Sequence, residues 1–180
     1  MRRRTFDTLV SAGGLVLAVV LLVAGGLAMW GANFANANVV DRLKPQQISF
    51  PAASALSDDE KANPEIVKYA GQKVDNGDKA RVYADMISIH LKGINNGKTY
   101  SQTSAESRAN PEDTAMAAKV QTLFRGETLR SILYNAYGWW KVAQVMLIAA
   151  WVALIAGLGM LILAVLGFMH GRRTPQSAEL

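Results

Sequence analysis

Two long apolar stretches interrupt an otherwise mixed chain, and they set the frame for the rest. Residues 142–169 run for 28 positions without an Asp, Glu, Lys or Arg. As a helix rising 1.5 Å per residue, they exceed the ~30 Å hydrocarbon core of a bilayer. Residues 8–32 are likewise free of charge and long enough to cross. The pattern predicts an all-α membrane protein in which two transmembrane helices flank a small helical extracytoplasmic domain. Its divisions are a basic tail at 1–7, a first span at 8–32, the domain at 33–141, a second span at 142–169 and a short tail at 170–180.

The flanks set the orientation. Arg2, Arg3 and Arg4 precede the first span, and Arg172 and Arg173 follow the second. Short basic tails stay in the cytoplasm, whereas a connecting segment longer than about 60 residues crosses largely regardless of its charge. Both termini are therefore expected inside the cell membrane, with residues 33–141 outside. Trp30 ends the first stretch, and Trp139 and Trp140 precede the second, so all three mark one outer interface, where amphipathic rings collect. Residues 8–32 have two competing readings. Ala35-Asn36-Ala37 offers a small-residue site for signal-peptide cleavage, and Arg3-Arg4-Thr5-Phe6 fits part of a twin-arginine signal. An apolar region of more than 20 residues exceeds the roughly 7–15 of a signal core and favours an anchor helix.

Between the spans the punctuation is helical. Asn63-Pro64-Glu65 supplies a cap, a first-turn proline and an acid, with Gly71 to end the helix. A longer helix is expected from about Asp78 to Lys92, where Val82, Met86 and Ile89 share a face with Tyr83, Ile87 and His90 beside it. Asp75-Asn76-Gly77 and Asn95-Asn96-Gly97 read as turns. Residues 33–57 read as mostly irregular, with an extended piece at 47–50, and the polar run 100–109 reads as a loop. Asn110-Pro111-Glu112-Asp113 is the best helix start in the chain, leading through Gly126 into the second span.

Composition removes several function classes. The net charge of +5 comes largely from the tails: residues 33–141 carry 14 basic and 12 acidic residues. A nucleic-acid binder concentrates basic residues in its folded part, so no nucleic-acid partner is expected. With no cysteine, the chain lacks disulfides, thiolate metal sites and a cysteine nucleophile. Neither span carries a charged residue in its middle, unlike the proton and ion paths of transporters. No Ser-His-Asp set, phosphate loop or paired-carboxylate motif stands out. Catalytic residues, cofactors and metals are expected to be absent.

Several patches of the outer segment are familiar together: Tyr69 to Asp75, then Tyr83-Ala84-Asp85-Met86-Ile87, then His90 followed by Gly97-Lys98-Thr99-Tyr100. With a span on each side, the chain resembles a family of small actinobacterial two-span membrane proteins often labelled "aromatic ring-opening dioxygenase LigA". The resemblance implies two spans and an outer domain. The label is another matter, because extradiol ring opening uses non-haem iron on two histidines and a carboxylate. The two histidines here, His90 and His170, fall on opposite sides of the expected bilayer.

The expected function is therefore non-enzymatic: a structural or accessory membrane protein contacting other membrane or envelope proteins, such as a subunit of a larger membrane complex. The alternative is a ligand-binding or sensing outer domain, with Tyr83, Asp85, Ile87, His90 and Tyr100 as its contact face. Ala149, Ala153 and Gly157 form a small-residue stripe for helix packing, and Gly14, Ala18, Gly25 and Ala28 offer the same on the first span. Beyond the lipid bilayer, the partner is a membrane protein or a second copy of the chain. Reporter fusions test the orientation. A periplasmic-type reporter inserted near Tyr100 is expected to be active and one at Leu180 silent; the reverse pattern overturns the assignment.

Overall fold

The computed structural model describes residues 3–173, so Arg2 and residues 174–180 of the C-terminal tail lie outside it. The described chain is helical: α1 (Arg3–Leu43), α2 (Asp58–Lys61), α3 (Pro64–Tyr69), α4 (Gly77–Ile94), α5 (Tyr100–Ala109) and α6 (Thr114–Arg173). Two short 3-10 turns and one isolated bridge between Ser49 and Lys73 complete it. The chain divides into two compact units, one made of Met1–Phe34 with Val142–Leu180 and the other of Ala35–Lys141.

The first unit is a pair of apolar helices. α1 has 41 residues and α6 has 60, and both are long and apolar enough to cross a membrane. In the most apolar 18-residue window of either helix, 11% is buried. The core helix of a soluble domain hides most of its apolar surface. Here Leu27, Val152 and Ile155 stand more than 60% exposed, and such a surface is stable in an apolar surrounding.

The helices meet along a seam of small residues. On α1, Ser11, Ala18, Gly25 and Ala32 are buried; on α6, Ala143, Ala150, Gly157, Ala164 and Gly171 are buried. Both sets repeat every seven residues. A seven-residue repeat keeps a seam facing its partner when the helices supercoil left-handedly. The pairing is antiparallel: Gly171 approaches Asp7, Gly167 approaches Ser11, Gly157 approaches Leu21 and Leu22, and Gly31 approaches Met146. Side-chain-free positions are required there. A Cβ on Gly25 would fall 2.8 Å from Cγ of Leu154 and 3.1 Å from its backbone nitrogen. Of the expected stripe, Gly157 lies in the seam, Ala153 is half-buried and Ala149 faces outward.

The second unit has its own core. Phe50 sits at its centre, edge-on to Tyr83 with ring centroids 5.2 Å apart and tilted against Tyr69 at 5.8 Å. Around it pack Val39 and Leu43 from the end of α1, Leu56, Ile66 from α3, Val74 from the segment before α4, Ala80, Val82, Ala84 and Met86 from α4, and Leu133 from α6. Three backbone hydrogen bonds tie the segment before Phe50 to the one after α3: Phe50 N–H to Gln72 at 2.9 Å, Gly71 N–H to Pro51 and Val74 N–H to Ile48, each at 2.8 Å. These bonds are the remnant of the extended piece expected at 47–50. Gly77 opens α4 against Trp140, where any Cβ would collide with the indole.

Three expectations about local structure are corrected. α1 does not stop near residue 32 but runs to Leu43, because no proline intervenes before Pro45 and burial of Val39 and Leu43 outweighs the poor helix propensity of the asparagines. The run 100–109 is helix α5, not loop. Thr99 and Gln102 close a capping box at its start, and Asn110 donates to the Glu106 carbonyl at its end. α6 begins at Thr114 rather than at Pro111: the Asp113 carboxylate accepts from the Met116 N–H at 2.9 Å, so Asp113 is the cap.

The seam makes a sharp stability prediction. Gly25→Leu is expected to destabilise the helix pair by about 1–3 kcal/mol, the usual range for overpacking. Gly26→Leu, one residue away with nothing within 4 Å of its Cβ position, is expected to leave it unchanged. Thermal unfolding of the detergent-solubilised full chain measures both; equal melting temperatures would mean that the seam does not hold the helices.

Candidate functional site

Polar chemistry in the second unit gathers on α4. Asp78, Arg81 and Asp85 recur at helical spacing and face two neighbouring helices. Arg81 donates to Glu65 of α3 at 2.6 Å and to Asp85 at 3.2 Å, and lies 3.6 Å from Asp78. Its guanidinium also lies over the Tyr137 ring of α6, 5.7 Å from the centroid. The Tyr69 hydroxyl donates to Asp78, and the Tyr134 hydroxyl donates to Asp85. One arginine and two tyrosines thus tie α3, α4 and α6 together through three carboxylates.

The electrostatics follow from these contacts. The Glu65 hydrogen bond, with the Asp78 and Asp85 charges, holds Arg81 well above the ordinary guanidinium range, so it stays a cation. The hydrogen bond to Asp78 pushes the Tyr69 phenol up, and burial adds to the shift. Burial, then Asp85, raises Tyr134 in the same direction. Both tyrosines are therefore neutral donors rather than latent bases. Chemically the arrangement is a clamp: each of its carboxylates already accepts from a cation or a phenol.

A second polar contact fastens α2. Ser57 and Glu60 form a capping box, with the Ser57 N–H donating to Oε2 of Glu60 at 2.7 Å and the Glu60 N–H donating to the Ser57 hydroxyl at 3.3 Å. The other Glu60 oxygen lies 2.8 Å from Nε2 of His90 on α4. Glu60 is 3% exposed, so this carboxylate is a buried acid held by two partners. Burial alone would raise its pKa. The Ser57 N–H and hydroxyl, with the His90 ring, outweigh burial and hold it below the ordinary 4.5.

The expected contact face divides among separate partners. Tyr83 packs on Phe50, and burial raises its phenol pKa. Asp85 joins the Arg81 clamp, and His90 meets Glu60. Ile87 packs against the core cluster. Tyr100 on α5 lies beside Phe124 with ring centroids 6.1 Å apart. The interface residues also separate. Trp30 is 69% exposed and stacks on Phe34, and Trp139 is 58% exposed. Trp140 instead packs on Gly77 and the core, with Tyr137 stacked 6.3 Å away. Arg3, Arg4, Arg172 and Arg173 are exposed at the ends of α1 and α6. Among the described residues no group of three or more His, Cys, Asp or Glu side chains is placed to share a metal ion.

Two polar elements escaped the sequence reading. The Arg81 clamp has a visible signal, since Asp78, Arg81 and Asp85 are spaced i, i+3 and i+7; their tyrosine partners are remote in sequence. Buried Asn95 looked like a turn residue. It donates to the Lys98 carbonyl at 2.7 Å and accepts from the Thr103 hydroxyl at 2.9 Å, which locks the turn to α5.

The Glu60 contact predicts an acid-sensitive fold. A carboxyl with a lowered folded-state pKa contributes stability that is fully present above its unfolded value and lost as pH falls through the folded value. Glu60→Gln in the full chain is expected to lower stability at neutral pH and to flatten its decline below pH 4.5. Ser57→Ala is expected to cost about 0.5–2 kcal/mol. Chemical denaturation followed by tyrosine and tryptophan fluorescence reads both; an unaltered acid limb in Glu60→Gln would remove the carboxylate from this role.

No family model, no curated protein and no solved structure matches this chain, and its own geometry is what bears on its function.

Proposed function

We propose that the chain is a two-span protein of the cell membrane, with both termini cytoplasmic and residues 33–141 outside, and that it serves as a non-enzymatic accessory protein. Its task is to hold another membrane or envelope protein through a helix face. The family of actinobacterial two-span proteins it resembles is consistent with this plan, and the dioxygenase label is not part of the proposal.

One observation carries the partner contact. In the second unit, α6 turns Leu123, Gly126 and Leu133 inward. The same stretch leaves Leu129 55%, Ile132 61% and Trp139 58% exposed. Their spacing of three and then seven residues is that of a helix-pairing seam, and a polar medium penalises leaving it bare. A second apolar helix is the simplest cover. Trp139 lies three residues before the expected second span, so a membrane-bound partner suits this face.

Mild-detergent purification of the full chain tests this. A reproducible membrane-protein partner, lost in Ile132→Glu while the chain still folds and inserts, is the expected result. Leu129→Glu is expected to do the same, and Lys119→Glu, elsewhere on α6, to retain the partner. A wild-type chain that purifies as a monomer with the same composition as Ile132→Glu overturns the reading.

A further inference from the structure

The helix face proposed above for a partner carries one charge that nothing else in the described structure answers. Residues 120–140 hold three charged side chains, Arg125, Glu127 and Arg130. Glu127 and Arg130 pair with each other at 2.7 Å. Arg125 is exposed, and among the described residues it makes no hydrogen bond or ion pair. It stands seven residues before Ile132, and Ile132 stands seven before Trp139, so the three repeat on one side of α6 with Leu129 among them. The exposed residues beside this stripe, Thr128, Ser131 and Asn135, are uncharged.

A helix that covers Leu129, Ile132 and Trp139 also takes Arg125 out of water. A guanidinium covered without an acceptor is a desolvated, unpaired charge, and its cost falls on the association. A carboxylate on the covering helix removes that cost, because its two oxygens match the guanidinium fork. A second copy of this chain supplies none. Copies inserted with one topology run their α6 helices in the same direction, and pairing through this stripe then sets Arg125 against Arg125. Like charges at that distance repel. We propose that the cover is a helix of a different membrane protein, with an Asp or Glu level with Arg125 and apolar side chains level with Ile132 and Trp139. The free arginine is a selector: it turns away a second copy and admits an acidic partner.

This selection rests on the helix face and the bilayer placement proposed above, and the test tells them apart. Because the chain has no cysteine, Ile132→Cys gives a single reporter of contact across the stripe. Disulfide formation is measured in intact membranes between two differently tagged copies of the full chain. The probe for an acidic partner is the Arg125→Glu copy of the same chain. Matched copies, both with Arg125 or both with Arg125→Glu, are expected to cross-link weakly. Mixed copies are expected to cross-link at least roughly threefold more than either matched set. Arg125→Leu in both copies is expected to raise cross-linking too, since it removes the repulsion and lengthens the apolar stripe. Equal cross-linking of matched and mixed copies overturns the proposal. So does an equal gain at Lys141→Cys, which lies on the opposite side of α6 and would report aggregation. Partner recovery in mild detergent is read alongside: Arg125→Lys is expected to retain the partner and Arg125→Glu to lose it. A partner lost in Ile132→Glu but kept in Arg125→Glu leaves the helix face standing and overturns the carboxylate. A chain released from membranes by alkaline extraction removes the bilayer placement, and the selection with it.

Discussion

Helices of purely apolar surface gain nothing from each other in hydrocarbon unless their backbones come close, because lipid tails are as apolar as leucine. Close approach is what Ser11, Ala18, Gly25 and Ala32 on one helix and Ala143, Ala150, Gly157, Ala164 and Gly171 on the other provide. Leu154 lies against Gly25, and Leu21 and Leu22 lie against Gly157, so large side chains of each helix occupy space vacated by glycines of the other. The bulk of Val, Leu and Ile then faces outward, as exposed apolar surface rather than core. The design inverts a soluble coiled coil, in which large residues line the seam and polar ones face out.

The Ala35–Lys141 unit is held by different means. Its apolar core is small and centred on Phe50, and its helices α2, α3 and α5 are short. Isolated helices of four to ten residues are marginal in water, so their ends must be fixed locally. Two capping boxes, at Ser57 and Thr99, and the Asn63 and Asn76 caps do this. The Arg81 clamp and the Glu60–His90 contact then join the pieces across sequence. A chain without cysteine has to reach this order through packing and polar contacts alone.

Long apolar runs and strong punctuation were legible in the sequence. The two long helices, the start of α3 at Asn63-Pro64 and the turn at Asn96-Gly97, both at positive φ, all follow from local residues. What failed had a competing cause in each case. α1 outran its apolar run because tertiary burial of Val39 and Leu43 decides the state of residues 33–43. α5 was hidden by its polar composition, although Thr99-x-x-Gln102 was a readable start signal. Tyr83, Asp85, Ile87 and His90 share α4, but a helix face does not reveal which neighbour each side chain meets. Phe50, Glu60 and Tyr134 come from three other places in the chain, and Tyr100, on α5, meets Phe124. The seam was read at a four-residue spacing. A supercoiled pair selects seven, which places Ala150 inside and Ala149 outside.

The seven-residue repeat has a consequence for alignment. A seam made of interchangeable small residues looks nearly the same after one helix slides by seven positions, about 10.5 Å along the axis. Its repeating part therefore says that the helices touch, but not at which notch. The choice falls to contacts that do not repeat: Gly25 with Leu154, Gly31 with Met146, and Ser11 with Gly167. They act as a vernier on an otherwise uniform scale. Substitutions that exchange one small seam residue for another should leave the notch in place, whereas exchanging Leu154 with a small neighbour would leave two alignments of similar energy and a helix pair with no single resting position.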